Sequence, residues 1–169
     1  MSSIWNKDKG LDDFIELSRN EDLVVVLVGV DKAQNDMLRS EKYKDSNLVP
    51  ILRTQNQQEL AMLYSMADVF VNPTYADMFP TVNIESLACG TPVITYRTGG
   101  SPEAVDERTG VVVEQGDVKG LAEAIRQMKE NTLKSEDCRA RAEREFDKDK
   151  CFGRYIKLYE GMISGNDVI

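Results

Sequence analysis

Histidine is absent from all 169 residues, so any chemistry that needs an imidazole base or imidazole metal ligand must borrow it from elsewhere. Cysteine is scarce: the three thiols, at 89, 138 and 151, are odd in number and lack metal-ligand spacing, which argues against a secreted disulfide framework. A reducing, cytoplasmic setting is the expectation. Met1 to Gly10 carries no apolar run of signal-peptide length, and no stretch approaches the roughly 18 apolar residues of a membrane span. Excess positive charge is missing too. A net charge of −8 argues against nucleic acid or an anionic membrane surface as the main partner. Lys7, Lys9, Arg53 and Arg97 still leave material for a local basic mouth.

What remains is an ordinary globular composition, 41% hydrophobic and 30% charged. A chain of this length suits one domain, 1–169, which buries about 70% of its unfolded surface. Ser2–Trp5 reads as a short strand and Asn6–Gly10 as a charged loop. Leu11–Arg19 has helical apolar spacing, and the continuous run LVVVLVG from Leu23 predicts a strand covered on both faces. A polar helix is expected over Asp31–Tyr43, an edge strand at LVPIL from Leu48, and a helix over Gln57–Ala67. Strands at Asp68–Asn72, Pro92–Tyr96 and GVVV from Gly110 alternate with a helix at Pro80–Ala88 and a helical turn at Ser101–Val105. Helices at Asp117–Lys129, about 135–146 and about 149–164 close the chain. Such alternation predicts an α/β fold, a Rossmann-like doubly wound parallel sheet. Ligands of such sheets bind beyond the carboxyl ends of the strands, here the loops after Val30, Leu52, Val71 and Tyr96.

The stretch ADMFPTVNIESLACGTPVITYRTGGSPE from Ala76 concentrates the chemistry. Proline suits the first helical position, so the helix is expected to begin at Pro80, with Thr81, Val82 and Asn83 presenting free N–H groups that favour an anion. Taken alone, Glu85 is a solvated helical acid and Asp77 a turn-forming residue. Cys89, at a helix end in an apolar stretch, reads as a buried structural thiol.

The same stretch resembles the donor signature of the retaining group 1 glycosyltransferases, which have the GT-B fold. Their C-terminal domain carries an acid, seven residues and a second acid, matched here by Asp77 and Glu85 and followed by SLACGTPVI and the GGSPE turn. The resemblance runs from WNKDKG to the final amphipathic helix. It implies that this chain is the C-terminal half of a GT-B enzyme, with the N-terminal acceptor-binding domain outside it.

By that resemblance Glu85 takes the ribose hydroxyls of a nucleotide sugar, Asp77 approaches the donor sugar, and Lys9 contacts the diphosphate. Asp77 and Lys9 are thus the catalytic candidates. Thr81 and Val82 stand at the diphosphate, with Phe79 and Pro80 in the same turn, while Arg53 and Thr54 follow the strand that meets the nucleobase. The chain departs from the commoner pattern in three places: Asp77 is a methylene shorter than glutamate, Pro80 replaces a glycine, and Ile4 and Trp5 stand near the expected arginine. Lys7 is the candidate for the second cation. Glu59 resembles a recurring helical acid of the family but equally suits a helix cap. Phe152, Tyr155, Ile156, Tyr159 and Met162 form a stripe that either packs into the core or, as in GT-B enzymes, crosses to the other domain.

The implied activity of the parent is retaining transfer of a hexosyl unit from a nucleoside diphosphate sugar to a saccharide or lipid-linked acceptor, in cell-surface polysaccharide synthesis. The isolated piece is expected to be inactive, to need no metal or other cofactor, and to work in the cytoplasm or at the cytoplasmic face of the membrane. The alternatives are a fragment of a sugar-nucleotide epimerase of the same fold, and a non-catalytic regulatory or oligomerising module.

Overall fold

A computed structural model describes residues 5–164. The Ser2–Trp5 strand expectation therefore lies, except for Trp5, outside the described residues. Among the described residues five strands form, all parallel to their neighbours: β1 (Val25–Val30) pairs with β2 (Leu48–Leu52), and β3 (Phe70–Asn72), β4 (Val93–Tyr96) and β5 (Gly110–Val113) form a second sheet with β4 in the middle. The α-helices of the described residues precede, connect or follow them: α1 (Leu11–Leu17), α2 (Lys32–Leu38), α3 (Gln57–Met66), α4 (Thr81–Ala88), α5 (Val118–Glu130), α6 (Ser135–Glu145) and α7 (Lys148–Ile163). Parallel neighbours need crossover connections, and α4 supplies the one between β3 and β4.

The alternation of side chains along β4 shows how both faces are covered. Ile94 and Tyr96 enter a core shared with Phe14 and Leu17 of α1 and with Leu121, Ala124 and Met128 of α5. Val93 points the other way, into a second core with Leu87 of α4 and with Cys138 and Ala142 of α6. Helices thus lie on both faces of a parallel sheet, which is the doubly wound arrangement. Leu27 and Val30 of β1 join the first core, so the two-stranded pair and the three-stranded sheet share it.

Three local expectations are corrected, and the open choice for the stripe of α7 is decided. The β1 run is not covered on both faces: Val24 and Val26 are 73% and 45% exposed, because only the Leu27 side meets packed helices. The expected Asp31–Tyr43 helix stops at Leu38, where the Ser40 hydroxyl donates to the Met37 carbonyl and competes with the helical ladder, and a 3-10 turn follows at Glu41–Tyr43. Pro80 is the N-cap and not the first helical residue; its ψ of 106° is extended and its carbonyl accepts the Asn83 N–H. The α7 stripe does not pack into the core: Phe152, Tyr155 and Tyr159 are each about 60% exposed.

Candidate functional site

The site begins with a tight 3-10 turn at Lys7–Lys9, capped by the Asn6 side chain, which accepts the Lys9 N–H at 3.0 Å. Gly10 then reverses the chain at φ 73°, close enough to the loop after β3 that a Cβ there would lie 2.4 Å from the Pro73 carbonyl oxygen. Only glycine fits such an approach. The Asp8 carbonyl accepts from the Tyr75 N–H (2.8 Å) and the Thr74 hydroxyl (3.2 Å), locking the turn to that loop. The consequence is that the Lys9 ammonium lies 2.7 Å from Asp77 Oδ2 across 68 residues of sequence. The two catalytic candidates are brought together.

The other oxygen of Asp77 accepts the Phe79 N–H at 3.2 Å, so the turn-forming role and the pairing with Lys9 coexist in one carboxylate. Behind it, the Gly100 N–H donates to the Met78 carbonyl at 2.7 Å. A Cβ on Gly99, whose φ is 47°, would lie 2.0 Å from the Asp77 carbonyl oxygen. Phe79 packs against Phe146 at 6.0 Å between ring centroids. Immediately downstream α4 starts. Among the described residues the N–H groups of Thr81 and Val82 have no hydrogen-bond partner, whereas that of Asn83 is committed to Pro80. Two free donors, the helix end and an adjacent ammonium make a corner that favours an anion.

Glu85 lies one turn along α4, exposed, with the Tyr64 hydroxyl 3.3 Å from its Oε2. Burial, and then the nearby Glu85 carboxylate, push the Tyr64 phenol well above its ordinary value, so it stays a proton donor. Arg53 and Thr54 line a separate groove of about 310 Å³ at the carboxyl end of β2, with Gln55, Glu59, Met62 and Leu63. Glu59 acts there as a cap: its carboxylate accepts the Gln55 N–H at 2.8 Å, and its own N–H donates to Asn56 Oδ1. Lys7 is exposed and, among the described residues, its ammonium has no ion-pair partner. Arg97 does not belong to the basic mouth; it pairs with Glu114 at 2.7 Å. Asp147 and Asp149 have an acid-x-acid spacing, but Asp147 caps α7 by accepting the Lys150 N–H.

The structure adds residues that sequence reasoning missed. Asp13, 8% exposed, accepts hydroxyl bonds from Tyr75 and Tyr96, both at 2.9 Å, and so ties the Asp77 loop to α1 and β4. Gln115 donates to the Tyr75 carbonyl and the Thr98 hydroxyl, bracing the same loop from beyond β5. In sequence, Asp13 is one of two acids in the first turn of α1, indistinguishable from a residue that merely complements the helix dipole.

With this geometry in place, the comparisons with known proteins are decisive at the level of family. The model of the group 1 glycosyl transferases matches residues 2–145. The chain belongs to that family. A D-inositol 3-phosphate glycosyltransferase of Mycobacteroides abscessus is 42% identical over 78 residues, which is 46% of this chain and 18% of the relative. The capsular polysaccharide biosynthesis glycosyltransferase CapM of Staphylococcus aureus is 29% identical over 128 residues, covering 72% of this chain and 34% of CapM. Among solved structures, the sucrose-phosphate synthase of Thermosynechococcus elongatus superposes with a TM-score of 0.78 at 25% identity, covering 95% of this chain and 44% of that one. Anabaena HepE, solved in complex with UDP, matches with the same TM-score of 0.78 at 19% identity, covering 95% of this chain and 47% of HepE. The fold is the Rossmann-like C-terminal domain of the GT-B glycosyltransferases, and this group 1 chain spans less than half the length of the solved relatives it matches.

Proposed function

We propose that this chain is the donor-binding domain of a retaining hexosyltransferase that takes a hexosyl unit from a nucleoside diphosphate sugar. The observation that carries this reading is the 2.7 Å approach of Lys9 to Asp77 beside the open start of α4. Lys9 and the N–H groups of Thr81 and Val82 hold the diphosphate and stabilise the charge that develops on it as it leaves, an electrostatic route that needs no metal. Asp77 meets the sugar hydroxyls and Glu85 the ribose. Arg53 and Thr54 wall the nucleobase, and Lys7 is the second cation.

Transfer itself needs the acceptor-binding domain of the parent protein, because closing a cleft excludes water and aligns donor with acceptor. The uncovered stripe of α7 is the surface on which that domain rests. A saccharide or lipid-linked acceptor at the cytoplasmic face of the membrane, in polysaccharide synthesis, fits the similarity to CapM. The test is a titration of the 169-residue chain with UDP, GDP, ADP and their hexose conjugates, followed by amide NMR. One diphosphate is expected to shift the Lys9 and Thr81 amides together, with Lys9→Ala and Glu85→Ala each weakening it by about tenfold. If no diphosphate binds at millimolar concentration, the donor-binding reading is wrong.

A further inference from the structure

We infer that Tyr64 is a positioning residue that sets the ribose-binding geometry of Glu85. This rests on the donor-binding reading above and names a residue for it that lies outside the signature stretch. Tyr64 is placed rigidly. Its carbonyl accepts the Thr91 hydroxyl at 2.6 Å, its ring meets Phe70 edge-on at 5.3 Å, and only 9% of its surface is exposed. A buried ring packed against Phe70, on a backbone pinned by Thr91, has little freedom to redirect its hydroxyl, which lies 3.3 Å from Glu85 Oε2.

Glu85, by contrast, is exposed on α4 and has freely rotating side-chain bonds. A carboxylate accepts two neighbouring hydroxyls well only when its plane is oriented toward them. The phenol supplies that orientation by occupying one acceptor site of Oε2 and leaving the rest of the carboxylate to the ligand. Tyr64 remains a donor throughout the neutral range because burial keeps its proton on.

The test compares whichever of UDP, GDP and ADP binds with its 2′-deoxy form, by calorimetry, on wild type, Tyr64→Phe, Glu85→Gln and the double variant. Wild type is expected to prefer the ribonucleotide by about tenfold, and Tyr64→Phe to cut that preference by about threefold or more. On a Glu85→Gln background, Tyr64→Phe is expected to change nothing further, because the two residues act as one unit. Phenylalanine keeps the ring, its edge-on contact with Phe70 and the backbone carbonyl that accepts from Thr91. A readout that needs no Tyr64 variant is the Cζ resonance of Tyr64 in tyrosine-labelled protein, which is expected to move in Glu85→Gln. An unchanged ribo-to-deoxy ratio in Tyr64→Phe, additive effects in the double variant, or an unmoved Cζ resonance would overturn the role of Tyr64. Failure of wild type to bind any of the three nucleotides would instead overturn the donor-binding reading beneath it.

Discussion

Lys9 and Asp77 face each other with 40% and 24% of their side chains still exposed. A pair wetted to this degree contributes on the order of 1 kcal/mol or less, so it yields readily to a better anion. That weakness suits the proposed function, since a diphosphate must displace or share the ammonium. Asp77→Asn removes the competitor and is expected to tighten free nucleoside diphosphate a few-fold while weakening the hexose conjugate relative to it. Calorimetry with the two ligands checks this, and parallel changes for both would contradict it. Gly99 makes the sharper structural statement. With a φ of 47° and a Cβ site 2.0 Å from the Asp77 carbonyl oxygen, Gly99→Ala must move backbone. Its expected cost is about 2–4 kcal/mol, the sum of left-handed strain and overpacking, read as a lowered urea midpoint at constant slope.

At the scale of elements, α6 serves as a clamp on the turn behind the site. Arg141 donates to the Ala104 carbonyl at 2.7 Å, the Glu103 carbonyl at 2.9 Å and Asp106 Oδ2 at 2.6 Å, with 15% of its side chain exposed. Burial pushes the Asp106 carboxyl up, but hydrogen bonds from Thr109 and the Arg108 N–H, together with the Arg141 guanidinium, outweigh it and hold the group below its ordinary value. Arg141→Met keeps the stem but strands two carbonyls and a carboxylate, and a loss of about 2–3 kcal/mol is expected in denaturant unfolding. A change under 0.5 kcal/mol would mean the clamp is ornamental. The loop that carries Asp77 has its own clamp in Asp13, Tyr75 and Tyr96. The apolar spacing over Leu11–Arg19 predicted the helix, yet nothing in it distinguished Asp13 from its neighbour Asp12, because a hydroxyl acceptor is defined by what lies opposite.

For the whole molecule, the absence of histidine has a direct consequence: no side chain with an ordinary pKa near neutrality changes charge on folding, so stability is expected to be flat across neutral pH. Above it the sign is fixed. Burial raises the Cys138 thiol from 9.0 to about 11, and burial followed by the Asp13 contact raises the Tyr96 phenol from 10.0. The unfolded chain therefore ionises first, and stabilisation present below about pH 9 is lost as pH rises toward the folded-state values. Urea midpoints measured from pH 7 to 11 are expected to fall above pH 9, and less steeply in Tyr96→Phe. A level profile to pH 11 would refute this.

Much of the fold was legible because strand and helix periods differ, and the alternation of short apolar strands with helices leaves few arrangements other than a doubly wound sheet. Local chemistry also wrote the start of α5 at Asp117, whose side chain caps it, and the acid pair of Asp77 before α4 and Glu85 within it. Three kinds of fact came only from the folded chain. The exposed side of β1 depends on which neighbours cover it, which a uniform apolar run does not encode. The one-residue shift at Pro80 depends on where its carbonyl finds a donor. The joining of Lys9 to Asp77, Asp13 to Tyr96 and Tyr64 to Glu85 spans 68, 83 and 21 residues of chain. Sequence determines which groups exist and the period on which they repeat; tertiary structure alone decides which distant groups meet, because close packing and directional hydrogen bonds are satisfied only when the whole chain has folded.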